Sequence, residues 1–288
     1  MIVSPLRPSS LERLFRVSKP LIGDIHLAPL PGTPRYRPKD MEAVAAGAIA
    51  DAKAYEKGGM DGVIVENHGD IPFLKPEDIG PEIIAAMAVI AKAVRDAVSI
   101  PCGINLLANA VIGALAVAKA SGAKFIRVNQ WVNAYVSNEG VIEGESARAL
   151  RYRKMIDAED VAIFADVHVK HGSHAIVGDR PVSEQARDVE FYDADVVIAT
   201  GNRTGDSVSD AEITAIREGT RLPVIAGSGL TAANAAHLLG RLDGAIVGSS
   251  LKMDGVWWNP VEHSRVETLV GVVGALRAEI GTAARRGL

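Results

Sequence analysis

Leu222-Pro-Val-Ile-Ala-Gly-Ser-Gly-Leu-Thr-Ala-Ala-Asn234 and, shortly after it, Asp243-Gly-Ala-Ile-Val-Gly-Ser-Ser-Leu251 each join a short apolar run to a glycine-serine turn. Runs this short and this continuously apolar suit parallel strands buried on both faces. Working back from them, six more runs appear at Leu21–Leu27, Gly62–Glu66, Cys102–Leu106, Phe125–Asn129, Ala162–Val167 and Val196–Ala199. Val224–Ala226 and Ala245–Val247 are then the seventh and eighth strands. Segments with helical spacing of apolar residues lie between them: Met41–Lys57, Pro81–Ala97, Ala110–Ser121, Val182–Tyr192, Asp210–Glu218 and Ala232–Leu239, with a last helix over Arg265–Ile280. Eight repeated strand-helix units predict a (β/α)8 TIM barrel of the α/β class, with a doubly wound open sheet as the competitor.

Boundary residues agree. Gly58-Gly59 and Gly122 suit helix C-termini. Pro101 and Pro223 stand just before strands, where a missing N–H is tolerated. Thr231 reads as an N-cap. Residues 1–19 read as a short N-terminal extension and 20–288 as a single barrel domain. Within the extension, Ser9 to Phe15 predicts a short helix, Leu11, Leu14 and Phe15 on one face, that either plugs the barrel bottom or forms a loose arm.

The 288 residues, 48% hydrophobic and 23% charged with a net charge of −4, describe an ordinary globular chain with material for a large core. No basic excess points to nucleic acid. No apolar run reaches the roughly 18 residues that would suggest a membrane span, and the N-terminus lacks a signal-peptide core. Cys102 is the only cysteine, so no intramolecular disulfide forms, and a cytoplasmic setting is expected.

In a barrel of this kind the loops after the seventh and eighth strands often hold phosphate. Gly227, Ser228 and Gly229 follow the seventh strand; Gly248, Ser249 and Ser250 follow the eighth. Glycine lets backbone N–H groups approach an anion, serine adds hydroxyl donors, and a short helix starting at Ser249 or Ser250 would add its positive end. Taken singly, each is an ordinary strand-to-helix turn; their pairing at these two strands carries the phosphate reading.

The other strand ends deliver the chemistry. The first supplies Asp24 and His26, the second Glu66, Asn67 and His68, the third Asn105, the fourth Arg127, Asn129 and Gln130. The fifth supplies Asp166, His168, Lys170 and His171, and the sixth Thr200, Gly201 and Asn202. Asp24, His26, Glu66, Asp166, His168 and Lys170 are the candidate catalytic groups; Asn67, Asn105, Arg127, Asn129, Thr200 and Asn202 the candidate substrate contacts. Asp166 sits in an apolar run and calls for a partner, with Arg127 and Lys170 available. Lys170 suits either a Schiff base or an electrostatic clamp. Each of these residues has a structural alternative, such as a polar core layer or a tied-down loop.

The expectation is no cofactor. Gly201-Asn-Arg-Thr-Gly205 lacks the spacing of a dinucleotide loop. A divalent ion on Asp24, His26, Glu66, Asp166 and His168 is the alternative, although no tight metal motif is present. The loop Ala28-Pro-Leu-Pro-Gly-Thr-Pro-Arg-Tyr36 forms a stiff wall. Excursions follow the fourth strand, through Gly140 and Gly144, and run from His171 to Pro181. Trp257-Trp258 forms an apolar knob of core or subunit-contact type, and a homo-oligomer is compatible with the apolar helix surfaces.

Gly23-Asp-Ile-His-Leu-Ala-Pro-Leu-Pro-Gly32, Val65-Glu-Asn-His-Gly-Asp-Ile-Pro-Phe73, Gly103-Ile-Asn-Leu-Leu-Ala-Asn109, Phe125-Ile-Arg-Val-Asn129 and Ala165-Asp-Val-His-Val-Lys-His171 together resemble the BtpA/SgcQ family. Thr200-Gly-Asn-Arg-Thr-Gly205 and both glycine-serine loops fit it, and the likeness covers the chain from about Pro20 onward. The resemblance implies a phosphate-binding TIM barrel. One cyanobacterial member is linked to photosystem I biogenesis, while relatives in bacteria without a photosystem lie beside genes for sugar metabolism. Two functions follow as expectations: an isomerase, aldolase or lyase acting on a phosphorylated sugar or related phosphometabolite, or a non-catalytic accessory factor.

Overall fold

The computed structural model describes residues 9–37 and 40–285. Helix α1 (Ser10–Phe15) is followed by β1 (Leu21–His26), α2 (Met41–Lys57), β2 (Gly62–Glu66), α3 (Pro81–Ala97), β3 (Cys102–Asn105), α4 (Val111–Ser121) and β4 (Phe125–Val128). Next come β5 (Ala134–Ser137), β6 (Gly140–Glu143), α5 (Ser146–Met155), β7 (Ala162–Val167), β8 (Gly172–Ser173), α6 (Val182–Phe191) and β9 (Val196–Ala199). The chain closes with α7 (Asp210–Gly219), β10 (Val224–Ala226), α8 (Ala235–Arg241), β11 (Ala245–Val247) and α9 (His263–Arg285).

All eight expected strands form, and they pair in parallel in the order β1-β2-β3-β4-β7-β9-β10-β11. β11 then pairs back onto β1 through Leu21↔Ala245, Ile22↔Ile246 and Gly23↔Val247. That closure makes the fold a (β/α)8 TIM barrel and excludes an open doubly wound sheet.

Strict alternation along each strand divides the barrel interior into layers. The lower layer is apolar: Ile22, Ile64, Phe125, Phe164, Ile198, Ile225 and Ile246 form one buried cluster. Phe125 stacks on Phe164 with ring centroids 4.6 Å apart. Gly103 makes room for this pair, since a Cβ there would lie 2.2 Å from the Phe125 ring. Two residues further along β1, β2, β3, β4 and β7 the interior turns polar, at Asp24, Glu66, Asn105, Arg127 and Asp166.

Helix α1 is the plug, not a loose arm. Leu11 and Phe15 are buried in the same cluster, and Phe15 meets Phe125 edge-on at 5.8 Å. Ser9 caps the helix by accepting from the Glu12 N–H. Residues 1–8 of the expected extension lie outside the described residues.

The excursion after the fourth strand gains detail, and two expectations need correction. The excursion after β4 holds secondary structure: β5 and β6 form an antiparallel hairpin that β8 extends, and α5 follows. Helix α5 reads Ser-Ala-Arg-Ala-Leu-Arg-Tyr-Arg-Lys-Met and buries only Ser146 and Ala149, so it offers no apolar period. Thr231 caps a turn and not a helix. Its N–H donates to Asn234 Oδ1 at 2.8 Å, and α8 begins only after that turn. The helix expected at Ser249 is a single 3-10 turn, Ser249–Leu251. No described helix is long and apolar enough to cross a membrane.

Candidate active site

At the C-terminal end of the barrel, Arg127 and Asp166 form the floor of the mouth. Arg127 Nε and Nη2 donate to Asp166 Oδ2 and Oδ1, each at 3.0 Å, and Asn129 Nδ2 adds a bond to Oδ2 at 3.2 Å. Both charged side chains are buried, 3% and 0% exposed. Burial alone would lower the Arg127 pKa, but Asp166, with Glu66 and Asp24, raises it above the ordinary value. Arg127 also crosses the barrel, its Nη1 donating to the Gly227 carbonyl at 3.4 Å. Asp166 therefore finds the partner its apolar run demanded, and the partner is Arg127.

One wall comes from β2 and β3. Glu66 accepts from His68 Nδ1 at 2.6 Å and from Asn105 Nδ2. Burial pushes its pKa up, yet His68, His26 and Arg127 together hold it well below the usual carboxylate range. Asn67 turns away to the loops: it accepts from the Leu107 N–H at 2.7 Å and donates to Asp70 at 2.9 Å.

The other wall comes from β1. His26 Nδ1 donates to the Trp257 carbonyl at 3.0 Å, and Nε2 lies 3.3 Å from Asp24 Oδ2. Burial depresses the His26 pKa, but Asp24 and then Glu66 outweigh it, and the net direction is upward.

Both glycine-serine loops meet this wall. Gly227, Ser228, Gly229, Gly248, Ser249 and Ser250 line one small cleft together with Asp24, His26 and Lys170. Among the described residues, no acceptor is found for the N–H groups of Ser228, Gly229, Gly248, Ser249 and Ser250. The Gly227 N–H is already engaged, donating to Ala199 O at 2.8 Å. Gly227 contributes space instead, because a Cβ there would meet Ile198 at 2.5 Å. Of the serines, Ser228 donates its hydroxyl to Asp206 O and Ser250 to Leu230 O.

Lys170 is the cation of this cleft. Its backbone N–H donates to Thr200 Oγ1, which ties the β7 and β9 loops. Burial, aided by Arg127, lowers its pKa to about 8. Asn202 takes part through its carbonyl, which accepts from His171 N, and the residue is exposed.

His168 does not join the mouth. Alternation would have aimed it inward beside Asp166, but it has φ +56° and pairs with Glu212 on α7 at 2.9 Å. Strand β7 ends at Val167, and the turn rotates the imidazole outward. Trp257 shows no local signal that would have marked its carbonyl as the group holding His26. His68 carried such a signal, since it stands two residues past Glu66.

Among the described residues, three buried oxygens at the mouth have no partner: Asp24 Oδ1, Asn105 Oδ1 and Asn129 Oδ1. The orientation of both amides follows from their neighbours. A carboxylate only accepts, so Asn105 must turn its NH2 to Glu66 and Asn129 its NH2 to Asp166. Their carbonyl oxygens are then left as acceptors.

The BtpA family profile matches residues 17–275. The chain belongs to the BtpA family. An Archaeoglobus fulgidus protein is 44% identical over 254 residues, 88% of this chain and 98% of its own. The photosystem I biogenesis protein BtpA of Synechocystis sp. is 38% identical over 264 residues, 90% of each chain. Among solved structures, a chain of Mycobacterium tuberculosis tryptophan synthase superposes with a TM-score of 0.60 at 16% identity, covering 93% of this chain and 99% of that one. N-(5'-phosphoribosyl)anthranilate isomerase from Pyrococcus furiosus gives 0.54 at 14% identity, covering 89% and 99%. These two likenesses concern the fold alone.

Proposed function

We propose that this BtpA-family barrel is an enzyme acting on a phosphorylated, hydroxyl-rich small molecule, with chemistry of the isomerase, aldolase or lyase type. One observation carries the reading: a cleft lined by backbone N–H groups without acceptors among the described residues also holds a lysine and Asp24, whose Oδ1 lacks a donor, and the same end of the barrel carries the unpartnered oxygens of Asn105 and Asn129. The first half suits a phosphate, the second a set of hydroxyl groups. A buried acceptor without a donor costs about 1–3 kcal/mol, so two amides and an acid held this way favour a ligand that satisfies them.

In this reading Ser228, Gly229 and the Gly248–Ser250 turn hold the phosphate and Lys170 pairs with it. Asn105 and Asn129 accept ligand hydroxyls. Asp24, with an unpartnered oxygen next to the phosphate cleft, moves the proton. Asp166 serves as a positioning residue, because Arg127 and Asn129 occupy its oxygens. Fold neighbours named for phosphorylated compounds, such as the phosphoribosylanthranilate isomerase, are compatible with this use of the barrel. An accessory role of the kind named for the Synechocystis relative would leave the unsatisfied acceptors without a purpose.

A thermal-shift screen of sugar phosphates, their unphosphorylated parents and inorganic phosphate tests the proposal. Stabilisation by the phosphorylated compounds, with inorganic phosphate weaker and the parent sugars inert, is the expected pattern. If no phosphate compound binds, the reading fails. With a hit in hand, Asp24→Asn should abolish turnover while keeping phosphate affinity within about threefold.

A further inference from the structure

We propose that His26, Glu66 and His68 form a divalent-cation site at the rim of the mouth, with Asp24 beside it. This goes beyond the phosphate reading and does not rest on it. The parallel register sets His26 of β1 directly against Glu66 of β2, and His68 follows two residues later. One ligand atom from each of the three lies within 4.8 Å of the others. The two imidazole rings stand 4.7 Å apart, centroid to centroid. Two imidazoles and one carboxylate are a ligand set for Zn²⁺, Mn²⁺, Fe²⁺ or Co²⁺.

Proximity alone would describe a hydrogen-bonded relay as well. The outer contacts argue for more. His26 Nδ1 donates to the Trp257 carbonyl, which only accepts, so Nε2, 3.3 Å from Asp24 Oδ2, is the nitrogen left for an ion, which would displace the proton Nε2 otherwise shares with Asp24. This N–H-to-carbonyl bond is the arrangement that orients metal-binding histidines generally. Glu66 Oε2 is held by the Asn105 amide, which leaves Oε1 on the His68 side. Asp24, only 5% exposed, keeps Oδ1 without a partner while its Oδ2 lies 3.3 Å from His26 Nε2. A cation, or a water molecule bound to it, supplies what that oxygen lacks. Ligand atoms around such an ion sit about 3 Å apart, so the 2.6 Å contact between His68 and Glu66 needs only a small opening. His68 is 15% exposed and stands after the strand, where such a movement is tolerated.

His26 and Asp24 also line the anion cleft. Where the phosphate reading also holds, an ion here would polarise a carbonyl or hydroxyl of the anchored ligand.

The test uses the full chain, stripped with a chelator and titrated with Zn²⁺, Mn²⁺ or Co²⁺ alone. The expected result is one ion per chain by calorimetry and elemental analysis, a raised melting temperature and visible Co²⁺ bands. His68→Ala should weaken the affinity at least tenfold with the circular dichroism unchanged. Asn105→Ala, which touches no ion, should weaken it about tenfold through the loss of the Glu66 support. His237→Ala, on the exposed face of α8, should leave it as it was. The proposal is overturned if the parent retains no ion, or if His68→Ala binds as the parent does. Inorganic phosphate titrated without metal reports on the anion cleft separately, so the two readings fail independently.

Discussion

Lys170 sits in the cleft between the two glycine-serine loops, and among the described residues its Nζ has no ion pair or hydrogen bond of its own. Its pKa of about 8 in the fold, against 10.5 for the ordinary group, has two consequences. A bound phosphate needs the charged amine, so phosphate affinity should fall as the pH rises through about 8. Lys170→Met should weaken phosphate binding by roughly 10- to 100-fold and flatten that dependence, as isothermal titration at pH 7 and 9 would report. For stability the sign is the reverse. The unfolded chain binds the proton more tightly between pH 8 and 10.5, so this group makes the ligand-free protein gain stability across that window. The gain is roughly 2 kcal/mol and should vanish in Lys170→Met when urea unfolding is compared at pH 7.5 and 9.5. Asp166 behaves differently. Asp166→Asn leaves the Arg127 guanidinium buried without its counter-charge and should cost on the order of 3 kcal/mol in the same assay. A variant as stable as the parent would mean that the pair is not structural.

At the scale of elements, the turn after β11 carries the site. A Cβ on Gly248 would lie 2.8 Å from His26 Cε1 and 3.3 Å from Asp24 Cβ. Gly248→Ala must push the imidazole aside or fill the cleft. It should weaken phosphate binding at least tenfold while costing about 1–3 kcal/mol of stability, typical of overpacking. Unchanged phosphate affinity in that variant would place the anion elsewhere. Behind the same wall, Lys252, fully buried, pairs with Asp51 of α2 at 2.5 Å, and Asp51 also accepts from the Val261 N–H. Tyr55 of α2 donates to the Asp24 carbonyl at 2.9 Å. These contacts fasten α2 and the segment before α9 to the back of β1, so that Asp24 and His26 rest on a braced strand.

Across the whole molecule the two ends of the barrel are chemically separate. The lower end is closed by α1 and the aromatic stack, the upper end by the Arg127–Asp166 floor. Phe15→Ala should therefore cost about 3 kcal/mol in urea unfolding and leave phosphate affinity unchanged. A matching loss of affinity would show that the ends are coupled.

The barrel was legible from the chain itself. Strands buried on both faces are almost continuously apolar, with polar residues confined to the mouth end, and that pattern acts on neighbours in sequence, so all eight runs could be read directly. Strand period then aimed Asp24, Glu66, Asn105 and Arg127 into one mouth, and the glycine-serine turns after Ala226 and Val247 meet in one cleft there. Helix α5 escaped because it carries no apolar period to read. What only the tertiary structure decided is which polar groups are already engaged. Arg127 pairs with Asp166 and not Lys170, Asn67 ties a loop, His168 turns to Glu212, and the ring of His26 is set by a carbonyl far along the chain at Trp257. The reason is physical: apolar burial needs only a suitable residue type on the right face, whereas a hydrogen bond needs one particular partner at one distance and angle, and strand register and loop closure alone bring that partner into place.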